Sequence, residues 1–249
     1  MRADSMRLRR PDDTTRVSGR SVLAVLGLWV GSAVVLATAG WFLTSAMTGV
    51  DSETPTLVAV FLVYLLLPVS ALIVYRWQGV RDRLAVRPAA GRWFRTAILV
   101  WLVILAACGI VYFALGFASG SAIGAWLDVI RDATDMSRFA TATPLDWALI
   151  VIRALILAGV AEELLFRGIL YGWLRGYLPA WAVILITSVA FALEHGFYPI
   201  LLPLGLFFGL GLGWLRERSG SILPGLVVHV LTDALFFIIA LAAAAGMGT

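Results

Sequence analysis

The chain has 249 residues, of which 61% are hydrophobic and only 14% charged, with a mean hydropathy of +0.94; a soluble domain carries about 25% charged residues, so a soluble globule is excluded and a membrane protein is indicated. The net charge of +4 would suit a nucleic-acid binder in a soluble protein. Here all 19 basic residues are Arg and most flank apolar runs, so the charge reads as membrane topology and no nucleic-acid partner is expected.

Apolar stretches of about the 20 residues needed to cross a bilayer occur at 21–46, 56–75, 96–118, 147–174, 178–194, 198–214 and 221–245. They predict an all-α fold, a polytopic helical bundle of about seven transmembrane helices. An Arg-rich tail over 1–20 precedes a single membrane domain over 21–249. The first stretch also fits a cleavable signal peptide ending near Ala37–Thr38–Ala39, but the apolar run continues through Trp41, Phe42 and Leu43, which favours a retained anchor. Six Arg lie in the tail and six more (Arg76, Arg81, Arg83, Arg87, Arg92, Arg95) follow the second stretch, while Arg175, Arg216 and Arg218 mark two further turns on the same side. The opposite side carries Arg131 and Arg138, among Asp and Glu residues. The positive-inside rule then makes the N-terminus cytoplasmic and, with seven spans, the C-terminus external. In the third stretch Cys108, the only cysteine, excludes an intrachain disulfide and reads as a small buried apolar residue. The segment 119–146 is the longest piece outside the spans and is expected to hold a short interfacial helix. In the sixth stretch Gly205, Gly209 and Gly213 recur every four residues, a ridge of small residues that lets helices approach closely.

Polar residues are distributed unevenly. The first three stretches hold no charged residue away from their ends, whereas the last four hold Arg153, Glu162, Glu163, Arg167, Glu194, His195, His229 and Asp233. An ionisable group at bilayer depth costs about 2.5–3.5 kcal/mol on insertion scales, so such groups pair with one another or line a water-filled cavity. Glu163 and Arg167 are four apart with the acid first, the favourable order for a helical ion pair, and are expected to be structural. Glu162 has no basic residue at i+3 or i+4 and is left to face a cavity. Phe191 and His195, and again His229 and Asp233, are four apart and share a helix face. Arg153 is read mainly as a residue that snorkels outward, and Glu194 mainly as a satisfied polar group.

Glu162–Glu163 with Arg167, Phe191 with His195, and His229 with Asp233 resemble, in that order, the EExxxR, FxxxH and HxxxN/D motifs of the CPBP family of intramembrane proteases, also called the CAAX protease or Abi family. The resemblance covers about 147–245 and implies an intramembrane endopeptidase whose catalytic core lies there. By the same resemblance Glu162 and His195 activate a water, and His229 and Asp233 stabilise the oxyanion. The chemistry is coherent: peptide hydrolysis without a nucleophilic side chain needs a base to deprotonate water and donors aimed at the developing negative charge.

Asp233 departs from the Asn of the eukaryotic pattern, and an ionised carboxylate cannot donate a hydrogen bond. Either Asp233 is protonated, or Glu162, His195, His229 and Asp233 ligate a zinc ion as in a metalloprotease. The reading leans to a metal-free, glutamate-activated water. The expected partners are the lipid bilayer and a membrane-bound or lipid-modified peptide or protein substrate; Arg without Lys suggests a GC-rich bacterial genome and hence the bacterial inner membrane. A non-proteolytic bacteriocin-immunity or scaffold protein, and a proton-coupled transporter, are the competing classes; the inverted repeats of a transporter are absent from the sequence. One geometric difficulty stands: measured along straight helices from the cytoplasmic ends, Glu162, His229 and His195 lie at depths of roughly 18, 12 and 25 Å.

Overall fold

The computed structural model describes residues 17–46, 54–118, 142–195 and 201–246. Among these residues there are helices and no strands. In chain order they are α1 (Gly19–Ala46), α2 (Thr54–Arg83), α3 (Gly91–Ala118), a composite helix α4, α5 (Ala180–Glu194), α6 (Leu201–Ser219) and α7 (Leu223–Gly246). Helix α4 consists of five consecutive pieces: Pro144–Ile152, a π-helical segment Arg153–Leu157, Ala158–Glu162, a second π-helical segment Glu163–Leu170, and Tyr171–Leu174. The interfacial helix expected within 119–146 falls mostly outside the described residues.

Helices α1, α2 and α3 are each long and apolar enough to cross a membrane. Their outer faces carry large apolar side chains such as Ile73 and Phe113, 65% and 71% exposed, a pattern that water would penalise and lipid does not. In α2 the mid-span Pro68 leaves the helix intact, and the break falls at Arg76, whose φ of 55° is left-handed. A non-glycine residue there costs about 1–3 kcal/mol unless its surroundings fix it. The apolar run ends at Tyr75, so α2 changes direction where the Arg-rich stretch begins. At the other end Thr54 Oγ1 donates to Asp146 Oδ1 (2.6 Å), while Thr143 and Asp146 form a capping box at the start of α4. Both groups of the cap find partners, which anchors α4 to α2.

The bundle has two apolar cores with α4 between them. One gathers Val22 and Val25 of α1, Leu67, Ala71 and Tyr75 of α2, and Ala161, Leu164 and Ile169 of α4. The other gathers Ile104 and Cys108 of α3, Phe166 of α4, Phe191 of α5, Phe208 and Leu212 of α6, and Val228 of α7. Cys108 is buried there as a small apolar group. The glycine ridge of α6 faces α5: a Cβ on Gly209 would lie 2.7 Å from the Ser188 Cα and one on Gly205 2.9 Å from the Ala192 Cα, so only glycine permits this approach.

Two features resolve the depth mismatch. Helix α5 has 15 residues, about 22 Å, short of the ~30 Å hydrocarbon core. It ends at Glu194 with His195 as its C-cap, inside the bundle. Gly196 and Pro199, which follow in the sequence, lie outside the described residues. The start of α7 is also set inward, beneath the connection between α2 and α3. The Ile222 N–H donates to the Ala85 carbonyl (3.1 Å) and Ser221 Oγ to the Arg87 carbonyl (2.5 Å). Gly220, at φ +68°, makes the turn out of α6 that permits this placement.

Candidate active site

Buried acids, histidines and one arginine from α4, α5 and α7 meet between the two cores. Arg167 is fully buried, and its Nη1 lies 3.1 Å from Glu163 Oε1. Its guanidinium stacks over the Phe191 ring at 4.5 Å and lies 3.5 Å by Nη2 from the Gly209 carbonyl. The close approach of α5 and α6 at the glycine ridge brings that carbonyl within reach. Phe191 also lies edge-on to Phe166 (5.3 Å between ring centres) and within 4.7 Å of the His195 ring and 5.9 Å of the His229 ring. The motif aromatic is thus the packing hub between the ion pair and both histidines.

The contacts of Glu163 extend beyond Arg167 to a histidine. Glu163 Oε1 also lies 3.3 Å from His229 Nδ1, so one carboxylate oxygen serves both the arginine and the histidine. On the other edge of the ring, His229 Nε2 lies 3.4 Å from Glu162 Oε2 and 3.9 Å from Asp233 Oδ2. Glu162 therefore does have a basic neighbour, supplied by another helix. A regular helix would set consecutive residues about 100° apart. Glu162 and Glu163 nonetheless reach opposite edges of one imidazole, at the junction where α-helix passes into the π-helical segment Glu163–Leu170. Such wide turns are frequent at functional sites. Space for the Glu163 carboxylate comes from Gly225, whose Cβ would lie 2.9 Å from Glu163 Oε2.

His195 Nε2 stands 4.0 Å from Glu162 Oε2, and its Nδ1 lies 3.0 Å from the Phe191 carbonyl. A carbonyl oxygen only accepts, so Nδ1 carries a proton and Nε2 is the ring nitrogen turned toward Glu162. The accessibility is graded: the side chains of His229 and Glu162 are 4% and 8% exposed, those of Asp233 and His195 23% and 41%. The cluster is sealed on the Glu163–Arg167 side and opens on the His195 and Asp233 side. Glu162 Oε2 and Asp233 Oδ2 are buried acceptors without a hydrogen-bond partner.

All four expected working residues, Glu162, His195, His229 and Asp233, are thus brought together. Among the described residues no group of three His, Cys, Asp or Glu side chains is disposed to hold a metal ion. Two neighbours escaped the sequence reading. Trp101 of α3 donates to Thr232 Oγ1 (3.0 Å), beside Asp233, and Tyr64 of α2 lies under Arg153 with its ring centre 5.9 Å from the guanidinium carbon. Both come from spans without buried charge, so no charge pattern pointed to them.

At the Arg-rich end of the bundle, outside the expected spans, Arg175 and Glu217 form a two-pronged ion pair at 3.0 and 3.1 Å, and Tyr171 donates to the same carboxylate. Burial pushes the Glu217 carboxyl up, but these hydrogen bonds and the Arg175 charge outweigh it and hold its pKa below the ordinary 4.5. The same hydrogen bonding raises Arg175. This clasp joins the end of α4 to the end of α6.

A family model described as Type II CAAX prenyl endopeptidase Rce1-like matches residues 144–235, from the first residue of α4 to just past Asp233. No curated protein and no solved structure gives a significant match. The matched segment contains every residue of the buried acid–histidine cluster, and over it the chain is similar to the CAAX-protease family of membrane peptide hydrolases.

Proposed function

We propose that the chain is an intramembrane endopeptidase that hydrolyses a membrane-associated or lipid-modified peptide with a water activated by Glu162. The observation that carries this is the buried Glu162 Oε2, which lies 3.4 Å from His229 Nε2 and faces His195 Nε2 across 4.0 Å. A water between them donates one hydrogen to Glu162 and the other to His195, leaving an oxygen lone pair for the scissile carbonyl carbon. As the new C–O bond forms, Glu162 takes the proton. The carbonyl oxygen becomes an oxyanion that the His229 Nε2–H and protonated Asp233 stabilise, in a site closed to water on its Glu163–Arg167 side. Glu163 holds His229 from behind through Nδ1, which keeps Nε2 aimed at the oxyanion. When the C–N bond breaks, Glu162 returns its proton to the leaving amine, giving a carboxylate and an amine product. No step passes through a metal.

The family's printed name points to prenylated, lipid-modified substrates, and the Arg distribution to the bacterial inner membrane with a cytoplasmic N-terminus. A peptide-library cleavage assay with detergent-solubilised protein tests the reading, comparing wild type with Glu162→Gln, each with and without chelator. Cleavage by wild type regardless of chelator, lost in the variant, is expected. Normal turnover by Glu162→Gln sinks the general-base role. Loss of wild-type activity in chelator, restored by zinc, replaces it with the metalloprotease alternative. Binding of a peptide without cleavage favours a scaffold or immunity protein.

A further inference from the structure

Helices α3 and α6 meet at the Arg-rich end of the bundle through two tryptophans. Trp93, in the first turn of α3, and Trp214, near the end of α6, pack edge to face with ring centres 6.3 Å apart. Each ring carries a guanidinium, Arg92 at 5.5 Å over Trp93 and Arg218 at 5.7 Å over Trp214. Both arginines are exposed, and neither has an ion-pair partner among the described residues. Helix α3 contains no acid, and Glu217, the acid of α6, is taken by Arg175 and Tyr171. Two unmatched cations are therefore gathered on one aromatic pair.

Inward from this pair the same helices leave an apolar groove of about 270 Å³, lined by Leu99, Val100, Val103 and Ala107 of α3 and by Phe207 and Gly211 of α6. Val100 and Ala107 follow Trp93 in steps of seven, and Gly211 and Phe207 precede Trp214 by three and seven, so groove and tryptophans share one stripe of each helix. Gly211 keeps the groove open, since a Cβ there would lie 2.6 Å from Ile104 Cδ1 and 3.0 Å from Val100 Cγ1. From Leu99 to Ala107 it follows α3 for about 12 Å.

We propose that this seam binds one anionic phospholipid, with the headgroup phosphate held by Arg92 and Arg218 and one acyl chain laid in the groove beneath the tryptophans. The occupant follows from the order of chemistry along the seam. Cations stand at the rim, then indole rings of the kind that settle at a membrane–water interface, then a channel without a polar side chain, which is the order of headgroup, interface and chain in a phospholipid. A guanidinium fork matches two phosphate oxygens at once. A free phosphate leaves the groove empty, and a lipid without net charge leaves the arginines unmatched. The seam shares no residue with the acid–histidine cluster, so the inference stands apart from the peptidase reading.

The test uses the full chain in a neutral detergent, with dioleoyl phosphatidylglycerol and dioleoyl phosphatidylcholine as probes and native mass spectrometry and thermal shift as readouts. Wild type is expected to bind the anionic lipid about tenfold to thirtyfold more tightly, as two arginines at a lipid surface imply, with a matching rise in melting temperature. In the double variant Arg92→Gln with Arg218→Gln this preference should fall to about twofold or less. Arg20→Gln with Arg81→Gln removes the same charge from exposed residues of α1 and α2 and should retain it. A preference that is absent from the wild type, survives the first double variant or falls equally in both overturns the inference. Inorganic phosphate and dihexanoyl phosphatidylglycerol test the groove: neither should displace the dioleoyl lipid at equal concentration. Displacement by either leaves a plain anion site and overturns the assignment of a phospholipid.

Discussion

The chain contains two glutamate–arginine pairs with nearly the same geometry and different surroundings. Glu163 and Arg167 lie 3.1 Å apart at 1% and 0% exposure between two apolar cores, while Arg175 and Glu217 lie 3.0 Å apart at 13% exposure each at the rim of the bundle. The clasp at the rim exchanges water contacts for protein contacts and gains a modest amount. Inside, both charges are stripped of water, and the pair is tolerable only because each charge meets the other and further polar groups. The inner pair also holds His229, so its position couples packing to chemistry. The outer pair has only helix ends to join.

Substitutions at the two places should separate these roles. The largest effect is expected beside the inner pair: Glu162→Gln keeps the shape but not the base, and peptide cleavage should fall by about a hundredfold or more, with the melting temperature close to that of wild type in a detergent thermal-shift assay. A large loss of stability would show that the Glu162 contact to His229 is structural and that Glu162 belongs with Glu163. Next comes the inner pair itself. Arg167→Ala leaves the Glu163 charge buried and unpaired, a loss of about 3–5 kcal/mol, read as reduced folded yield. Wild-type stability for this variant would break the contrast with the rim.

At the rim Glu217→Gln should cost about 1 kcal/mol after allowance for solvent screening, with cleavage unaffected at neutral pH. The sign of its pH dependence is fixed. The Glu217 pKa is lower in the folded state than its ordinary 4.5, so the clasp contributes fully above that value and is lost as the pH falls through the folded pKa. The stability difference between wild type and Glu217→Gln should shrink below pH 4.5, and a constant difference would mean that the carboxylate is not what holds the clasp. The smallest effect is expected at Asp233. Asp233→Asn supplies a permanent N–H donor in place of a protonated carboxyl, so activity should stay within a few-fold while any loss at high pH moves upward. Severe loss, with zinc bound stoichiometrically in the wild type, favours the metal alternative.

Much of the site was legible because charge inside an apolar stretch is costly and therefore conspicuous. The two histidines and the i,i+4 spacings drew attention to α4, α5 and α7, and the all-helical class followed from the seven apolar runs. What stayed hidden depended on neighbours distant in sequence. Glu163 offered a partner four residues on and read as complete, yet its oxygen also holds His229, 66 residues away. Tyr64 and Trp101, uncharged residues in apolar spans, gave no signal at all.

By itself the sequence determined that the chain lies in a membrane, that it is helical, and that its intramembrane charges fall in its second half, because length, hydropathy and the cost of buried charge are properties of composition and spacing. Tertiary structure decided how acids and histidines at unequal nominal depths meet. A short α5 ending at His195, an α7 that starts beneath the loop after α2, and π-helical turns at Glu163 bring them within 4.0 Å. Those offsets come from packing against Ala85, Arg87 and the glycines of α6, contacts between residues far apart along the chain that no local pattern encodes.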